Sequence, residues 1–138
     1  MRTVFVDTSY WIAIVRPQDQ WQDAAMKARG DVGPAVLVTT DEVMTEFLTG
    51  LSRAGPTSRL KAAHMVKAIH KNPNVRVLPQ SRDSFLRGLR RYADRADKEY
   101  SLTDCISMNV MDGEGIEEVL TNDHHFEQEG FTVLMKKK

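Results

Sequence analysis

The stretch Val4-Phe5-Val6-Asp7-Thr8-Ser9 indicates the architecture of this chain. Its first three residues are β-branched or aromatic, and they predict a short buried strand over residues 3–6. Asp7 and the two hydroxyl residues after it are typical N-cap residues, and they predict a helix that runs through about Val15. A strand that passes directly into a helix in this way is typical of an α/β protein.

Further strands and helices alternate along the rest of the chain. Apolar runs bounded by turn residues predict strands, and periodic segments between N-cap residues and Gly or Pro predict helices. The predicted strands are 3–6, 36–38, 75–78, 118–120 and 131–135, and the predicted helices are 8–15, 19–29 (ended by Gly30), 41–54, 57–70, 81–94, 101–111 and 122–128. This alternation favours a mostly parallel sheet covered by helices on both faces. The length of 138 residues suits one domain spanning residues 1–138.

Charge is distributed unevenly, although the formal net charge is zero. Between residues 53 and 95, eleven Lys and Arg residues are accompanied by only two acids, Asp83 and Asp94. Between residues 99 and 135 there are nine acids and no Lys or Arg. The basic segment suggests a polyanionic partner, and the acidic segment suggests a cation site or a basic protein partner. Solvated helix faces would produce the same pattern, so the charge runs alone leave both interpretations open.

The sequence argues against several kinds of site. It contains neither GxxxxGK[ST] nor GxGxxG, which disfavours a nucleotide cofactor. Adjacent residues on a helix point about 100° apart, so His124 and His125 cannot both bind one ion. We interpret them as turn and surface residues, and the alternative is that one of them contacts substrate. The one cysteine, Cys105, is interpreted as a packed free thiol. No apolar run approaches the roughly 18 residues of a membrane span and residues 1–6 are too short for a signal peptide, so a cytoplasmic location is expected.

Four acids lie where a predicted strand passes into a helix or just inside a helix: Asp7, Glu46, Asp104 and Asp123. The carboxyl ends of parallel strands gather at one edge of a sheet, where ligands bind. Carboxylates about 4 Å apart would repel each other by on the order of 4 kcal/mol per pair at an effective dielectric of about 20. Oxygen ligands suit Mg²⁺ or Mn²⁺, and such a cation would remove this repulsion. The pattern therefore predicts a metal-dependent enzyme.

Each of these acids also has a purely structural interpretation. Asp7 fits a helix N-cap, Asp104 fits the acid of a capping box, and Asp123 fits a first-turn acid favoured by the helix dipole. Glu46 fits a solvated helix residue, and Glu42, one turn earlier, competes with it for any role in a site. Glu46 and Asp104 both lie among apolar residues. The acidic segment that contains Asp104 has no Lys or Arg to pair with them, which favours a metal as their partner.

Four ordered motifs resemble those of PIN-domain ribonucleases and, more narrowly, those of the VapC toxins of toxin–antitoxin pairs. They are V-D-T-S-x-W at residues 6–11, E-F-L at 46–48, D-K-x-x-S-L-x-D-C at 97–105 and L-T-N-D-x-H-F-x-x-x-G-F at 120–131. The resemblance spans residues 4–134. It implies a three-layer α/β/α sandwich with a mostly parallel sheet of four or five strands, and Mg²⁺- or Mn²⁺-dependent cleavage of single-stranded or looped RNA.

The resemblance also implies roles for individual residues. Asp7, Glu46, Asp104 and Asp123 match the acidic quartet of the family, and Thr121 matches the hydroxyl residue that precedes the last acid by two positions. We expect Asp7 and Asp104 to bind the principal ion directly. Glu46 would ligate through water or orient the nucleophile, and Asp123 would complete the site or hold a second ion.

Further expectations concern supporting residues and partners. Thr121 or Ser9 would fix the carboxylate rotamers from behind. The expected partners are an RNA substrate, a cognate antitoxin whose Arg or Lys occludes the acidic pocket, and a second copy of the chain, with no membrane. The alternatives are a catalytically silent nucleic-acid-binding or scaffold module, and an RNA-processing nuclease outside a toxin–antitoxin system. The residues expected to contact RNA phosphates are Arg87, Arg90, Arg91 and Arg95.

Overall fold

The chain folds around a five-stranded, all-parallel sheet, described by a computed structural model of residues 1–137. The strands are β1 (Arg2–Val6), β2 (Ala35–Thr40), β3 (Val75–Leu78), β4 (Glu118–Leu120) and β5 (Thr132–Val133). The helices of the described residues are α1 (Thr8–Val15), α2 (Gln22–Val32), α3 (Asp41–Gly50), α4 (Pro56–Lys71), α5 (Arg82–Asp94), α6 (Leu102–Glu114) and α7 (His125–Gln128). The predicted α/β/α sandwich with a parallel sheet is confirmed.

The order of the strands determines where a site can form. The order β3-β2-β1-β4-β5 places β1 in the centre, with the chain moving to one side through β2 and β3 and to the other through β4 and β5. In such a sheet a ligand cleft forms at the carboxyl edge where the direction changes, here between β1 and β4. Val6 pairs with Leu120, and the Asp7 N–H donates to the Leu120 carbonyl at 3.1 Å. Asp7 and Thr121, each one residue beyond its strand, are therefore neighbours.

The central strand is enclosed on both of its faces. Val4, Phe5 and Val6 are each fully buried, although successive side chains of a strand point to opposite sides of the sheet. Phe47 of α3 and Met108 of α6 are fully buried in the same core. This packing holds the carboxyl end of β1 in place, and with it the backbone of Asp7, the first residue after the strand.

The second helix differs from its predicted position. The sequence predicts a helix over 19–29 that ends at Gly30, but α2 spans Gln22–Val32 and contains Gly30. Asp19 makes a turn ahead of the helix, because its side chain accepts a hydrogen bond from the backbone N–H two residues later at 2.8 Å. Gly33, with φ of +69°, follows the helix instead, since glycine adopts this left-handed region without steric cost.

The last strand is shorter than predicted. Residues 131–135 are predicted as a strand, but β5 contains only Thr132–Val133. It lies at the edge of the sheet and pairs only with β4, which itself has three residues. The short neighbour limits the length of the ladder.

Two observations on the helices complete the fold. The longest helix, α4, has 16 residues, and within residues 1–137 no helix is both long and apolar enough to cross a membrane. Cys105 of α6 is fully buried and its thiol is free, as predicted.

Candidate active site

Asp7 occupies the N-cap position of α1, but its side chain does not cap the helix. The residue is only 5% exposed. Its Oδ2 accepts a hydrogen bond from the Thr121 hydroxyl at 2.8 Å. Its Oδ1 is buried and has no hydrogen-bond partner among residues 1–137. The N-cap interpretation of Asp7 therefore fails, and one buried carboxylate oxygen is left for a ligand.

Asp104 serves two purposes at once. It is the acid of a capping box at the start of α6, in which the Ser101 N–H donates to Asp104 Oδ2 at 3.1 Å and the Asp104 N–H donates to Ser101 Oγ at 3.0 Å. It is also 8% exposed and close enough to Asp7 for its charge to raise the pKa of that residue. The structural interpretation of Asp104 is therefore correct, and it does not exclude a role in the site.

Glu46, rather than Glu42, lies with the other acids. The Thr8 hydroxyl donates to Glu46 Oε1 at 2.6 Å, and Thr8 directly follows Asp7. Glu42 lies one helical turn earlier on α3, and its Oε2 accepts a hydrogen bond from the Ser84 hydroxyl of α5 at 3.3 Å. The phase of α3 thus directs the two glutamates toward different clefts.

Asp123 lies in the loop between β4 and α7. Its N–H donates to the Thr121 hydroxyl oxygen at 3.1 Å, and its Oδ1 accepts a hydrogen bond from the His125 N–H at 2.9 Å. The side chain remains 28% exposed, so Asp123 lies at the open side of the cleft while Asp7 lies at its floor.

Thr121 and Ser9 form a hydrogen-bond chain behind these acids. Thr121 is fully buried, and its single hydroxyl proton is donated to Asp7. The Ser9 hydroxyl lies 3.1 Å from that of Thr121 and also accepts from the Asn122 N–H at 3.1 Å. Because the Thr121 proton is already used, Ser9 donates to Thr121. The chain fixes the rotamer of Asp7 and ties it to the loop that carries Asp123, the arrangement expected of residues that orient ligands.

His125 also belongs to the cluster, which the sequence analysis missed. Its side chain is 18% exposed, whereas that of His124 is 73% exposed. Its Nδ1 lies 3.2 Å from Asp123 Oδ1 and 3.5 Å from Asp104 Oδ2. The interpretation of both histidines as surface residues is therefore wrong for His125. The available signal was its position two residues after Asp123, since an Asx-type turn there brings the following side chain back toward the acid.

The cleft formed by these residues is strongly acidic. It encloses about 500 Å³, it is lined by all four predicted acids, and neither Lys nor Arg lines it within the described residues. Burial raises the pKa of Asp7 to about 7; the hydrogen bond from Thr121 opposes this rise and the charge of Asp104 adds to it. Burial likewise raises the pKa of Glu46 and of Asp104 above their ordinary values. Several hard oxygen donors with one buried oxygen unpaired make a donor set that fits Mg²⁺ or Mn²⁺.

Known proteins with this combination of fold and motifs identify the family. Residues 4–131 match the PIN domain. The chain belongs to the PIN-domain family. This PIN domain is 30% identical over 129 residues to the 23S rRNA-specific endonuclease VapC20 from two strains of Mycobacterium tuberculosis, and the match covers 93% of this chain and 95% of the relative.

Solved structures agree with this assignment. The crystal structure of Mycobacterium tuberculosis VapC20, described as a sarcin–ricin loop cleaving toxin, superposes with a TM-score of 0.84 at 29% identity, covering 96% of this PIN domain and 99% of that chain. FitAcB from Neisseria gonorrhoeae superposes with a TM-score of 0.68 at 17% identity, covering 95% and 96%, which supports the fold alone. The predicted family is confirmed, and with it a metal-dependent endoribonuclease of the VapC toxin type.

The four arginines predicted to contact RNA divide into two pairs in this PIN domain. Arg91 is largely buried and donates to Glu129 Oε1 at 2.7 Å and to Asp112 at 2.9 Å, and Arg95 also donates to Glu129, at 3.1 Å. Arg87 pairs with Asp83 on the solvent-exposed surface of α5. All four arginines line an open groove beside α6. Arg91 and Arg95 are engaged by Glu129, although Arg95 is still 39% exposed, so Arg87 and Arg90 are the more accessible cations of the predicted set.

Proposed function

We propose that this PIN domain cuts the sarcin–ricin loop of 23S rRNA as the toxin of a toxin–antitoxin pair. The observation that carries the proposal is the acidic cleft at the carboxyl edge of the sheet between β1 and β4. In this cleft Asp7 Oδ1 is buried without a hydrogen-bond partner among residues 1–137. The choice of RNA is supported by the resemblance to VapC20, which extends over 93% of the chain. We also propose that residues 1–138 form a single PIN domain, because the family match spans residues 4–131.

The acidic quartet is proposed to hold the divalent cation. Asp7 and Asp104, the two most buried acids, would bind it directly, Glu46 would bind through water, and Asp123 would complete the site from the open side. When bound, Mg²⁺ or Mn²⁺ lowers the pKa of a coordinated water and neutralises negative charge on the phosphate. The quartet alone would repel a phosphodiester, so the cation is needed for the RNA to enter the cleft.

Two threonines are proposed to orient the acids for the reaction. Thr121 holds the Asp7 carboxylate in one rotamer through its 2.8 Å hydrogen bond. Thr8 holds Glu46 in the same way, at 2.6 Å. Glu46 is thereby fixed where it can orient the attacking water, and burial raises its pKa above the ordinary value, which makes it a stronger base toward that water.

RNA is proposed to reach the cleft along α5. Arg87 and Arg90 would contact phosphates without reading bases, which contributes affinity and salt dependence rather than specificity. A loop such as the sarcin–ricin loop is recognised mainly through its shape and its unstacked bases. A cytoplasmic location follows from this substrate, because ribosomes are there.

Two protein partners are proposed. A cognate antitoxin would block the enzyme by placing an Arg or Lys among the four acids, where a charge-assisted hydrogen bond is strong. A second copy of the chain would cover the apolar side chains that α5 leaves exposed. These are Phe85, Leu86, Leu89 and Tyr92, each 41–51% exposed.

Self-association through α5 is chosen because these apolar side chains recur on one face of the helix. Phe85, Leu89 and Tyr92 follow one another at spacings of four and three residues. A two-fold axis can therefore bring the same apolar patch of two copies together, while Arg87 and Arg90 stay available to RNA. Sedimentation of the wild-type protein should give the dimer mass, and Leu89→Glu should give the monomer. A wild-type protein that remains monomeric at tens of micromolar would contradict the dimer proposal.

The nuclease proposal is tested with bacterial ribosomes and with a hairpin RNA that contains the sarcin–ricin loop. We expect one discrete cut with Mg²⁺ or Mn²⁺ and none with EDTA. Asp7→Asn should abolish cleavage, and Glu46→Gln should slow it by at least about tenfold, or about 1.4 kcal/mol. Glu42→Gln is the matched control on the same helix and should retain activity within about twofold, because Glu42 lies outside the cleft.

Two outcomes would overturn parts of this proposal. Discrete metal-dependent cuts in other RNAs, with the sarcin–ricin loop left intact, would keep the nuclease and refute its substrate. Cleavage at the wild-type rate by folded Asp7→Asn would refute the assignment of the site.

A further inference from the structure

The imidazole of His125 lies against two acids of the cleft and is largely shielded from solvent, while the neighbouring His124 lines the cleft itself. The Nδ1 of His125 lies 3.2 Å from Asp123 Oδ1 and 3.5 Å from Asp104 Oδ2. This nitrogen is buried and, within residues 1–137, makes no hydrogen bond of acceptable geometry. Asp7 provides a second, independent sign of a missing ligand, because it is 5% exposed and its Oδ1 is unpartnered in the same part of the chain.

The spacing of the three groups suits one metal ion. Asp104, Asp123 and His125 each offer a ligand atom, and these atoms all lie within 4.8 Å of one another. Neighbouring ligands of an octahedral ion, each about 2.1 Å from the metal, are separated by about 3 Å. The contacts of 3.2 and 3.5 Å are close to that separation, although their directions do not favour a hydrogen bond.

The ring of His125 is held in place from behind. The Tyr100 ring packs against it with a centroid separation of 5.3 Å. Tyr100 is itself fixed, because its hydroxyl donates to Glu129 Oε2 at 2.9 Å. The His124 ring also lies against the His125 ring, with a centroid separation of 4.7 Å, and the next residue, Phe126, is fully buried and anchors α7. Support of this kind is typical of a ligating histidine, whose orientation is set by surrounding contacts.

We propose that His125 Nδ1 binds a divalent cation together with Asp104 and Asp123, as a nitrogen ligand added to the acidic quartet. The inference rests on the proposed metal site and specifies its chemistry. Imidazole is a poor ligand for Mg²⁺ and a better one for transition metals. The presence of His125 therefore makes this site selective for Mn²⁺ over Mg²⁺.

The experiment measures Mn²⁺ binding to the RNA-free protein. Pulsed electron paramagnetic resonance of the Mn²⁺ complex should detect coupling to a nitrogen nucleus, and this coupling should change when the protein is made with ¹⁵N-labelled histidine. Calorimetry should give a Kd for Mn²⁺ that rises by about tenfold or more in His125→Asn, the loss typical of a removed ligand or of its close support. The Kd for Mg²⁺ should change much less.

His64→Asn is the control, because His64 is an exposed histidine of α4 and does not line the cleft. This variant should keep both the nitrogen coupling and the Mn²⁺ affinity. The labelled wild-type protein gives the decisive spectrum even if His125→Asn does not fold, so the inference does not depend on that variant.

A different result would identify His125 as a mere counter-charge for the two aspartates. In that case the Mn²⁺ spectrum would lack histidine coupling, and His125→Asn would bind Mn²⁺ equally or more tightly, since a competing positive charge had been removed. The proposed function fails separately. Mn²⁺ bound with histidine coupling but without rRNA cleavage would refute the substrate, whereas a wild-type protein that binds neither cation would refute the metal site itself.

Discussion

Two groups of buried carboxylates lie close together in this PIN domain, and they are treated in opposite ways. Glu129 accepts hydrogen bonds from Arg91, Arg95 and Tyr100. Burial alone would raise the pKa of Glu129, but these three donors, Arg95 first, outweigh it and lower the pKa to about 2. Among residues 1–137 the Asp7 side chain accepts one hydrogen bond, from the Thr121 hydroxyl, and burial raises its pKa to about 7.

The opposite pKa shifts distinguish a carboxylate that stabilises the fold, Glu129, from one that is available for chemistry, Asp7. Glu129 is neutralised by cations of the chain itself, so it ties the end of α7 to α5. The acids of the cleft have no Lys or Arg beside them within the described residues, so their charge is available to a ligand from outside. Substitutions in the two groups should therefore have opposite consequences for activity and for stability.

The largest effects are expected at Asp7 and Asp104, the two acids proposed to bind the cation directly. Asp104→Asn should reduce cleavage by at least about 1,000-fold, which corresponds to about 4 kcal/mol of barrier. Asparagine still accepts the Ser101 N–H, so the capping box and the folded state should persist. Single-turnover cleavage together with circular dichroism would test this, and a folded variant with more than a tenth of the wild-type rate would contradict it.

The pH dependence of stability should differ in sign between the two groups. The folded pKa of Asp7, about 7, exceeds the ordinary value of 3.8, so the folded protein binds the extra proton. The free energy of unfolding of the metal-free protein should therefore fall as pH rises from about 4 to about 7, by at most about 4 kcal/mol. Glu129 acts oppositely, because its stabilisation is present above its ordinary pKa of 4.5 and is lost as pH falls toward about 2.

Thermal unfolding of Asp7→Asn without metal tests this sign. The variant should be more stable than the wild type at pH 8 and similar to it at pH 4, because asparagine carries no charge to be desolvated. Added Mn²⁺ should raise the Tm of the wild type only. If the Tm of the wild type and that of Asp7→Asn changed with pH in parallel, folding would not raise the pKa of Asp7 and the prediction would be wrong.

Glu129→Gln should damage stability in preference to chemistry. Removing one partner of a buried ion pair leaves the other unpaired, and such changes cost about 3–5 kcal/mol when burial is complete. Arg95 is 39% exposed, so solvent screening should reduce the loss to about 2 kcal/mol. Urea unfolding would measure it, with Asp112→Asn as the control, since Asp112 pairs with Arg91 but is 58% exposed.

The smallest effect concerns the accessible arginines. Replacing Arg87 and Arg90 by alanine should weaken RNA binding a few-fold and lower the slope of log K against log salt by about 0.7 for each phosphate of single-stranded RNA that the variant no longer binds. Arg91→Ala should instead lower stability, because Arg91 is engaged with Glu129. An Arg87/Arg90 double variant with an unchanged salt slope would remove α5 from the RNA path.

The local features of the fold were predictable from the sequence. The β1–α1 unit follows from an apolar run and three residues typical of N-caps, although the Asp7 side chain does not cap the helix. The position of the acids follows from the general behaviour of parallel strand ends. The choice between Glu46 and Glu42 was not predictable. It depends on how α3 is rotated against α1 and α5, which is a property of packing.

The partners of charged side chains were the least predictable features. Arg91 and Glu129 are 38 residues apart, so the sequence presents α5 as a free basic helix, although Arg91 and the residue after the helix, Arg95, are both paired with Glu129. His125 was missed for a related reason. Its contact with Asp104 joins α7 to α6, which are separated in sequence. His125 is the first residue of α7 and follows a turn, so helical periodicity does not show where its side chain points.

A carbon-13 NMR titration of the side-chain carboxyls, without metal and with Mg²⁺, tests directly whether the cleft holds its charge for a cation. We predict that Asp7 titrates near 7 in the metal-free protein and Glu129 near 2. Mg²⁺ should lower the apparent pKa of Asp7 by about 2 units or more and leave that of Glu129 unchanged. A metal-free Asp7 that titrates near its ordinary value of 3.8, or one that does not respond to Mg²⁺, would contradict this role for the cleft.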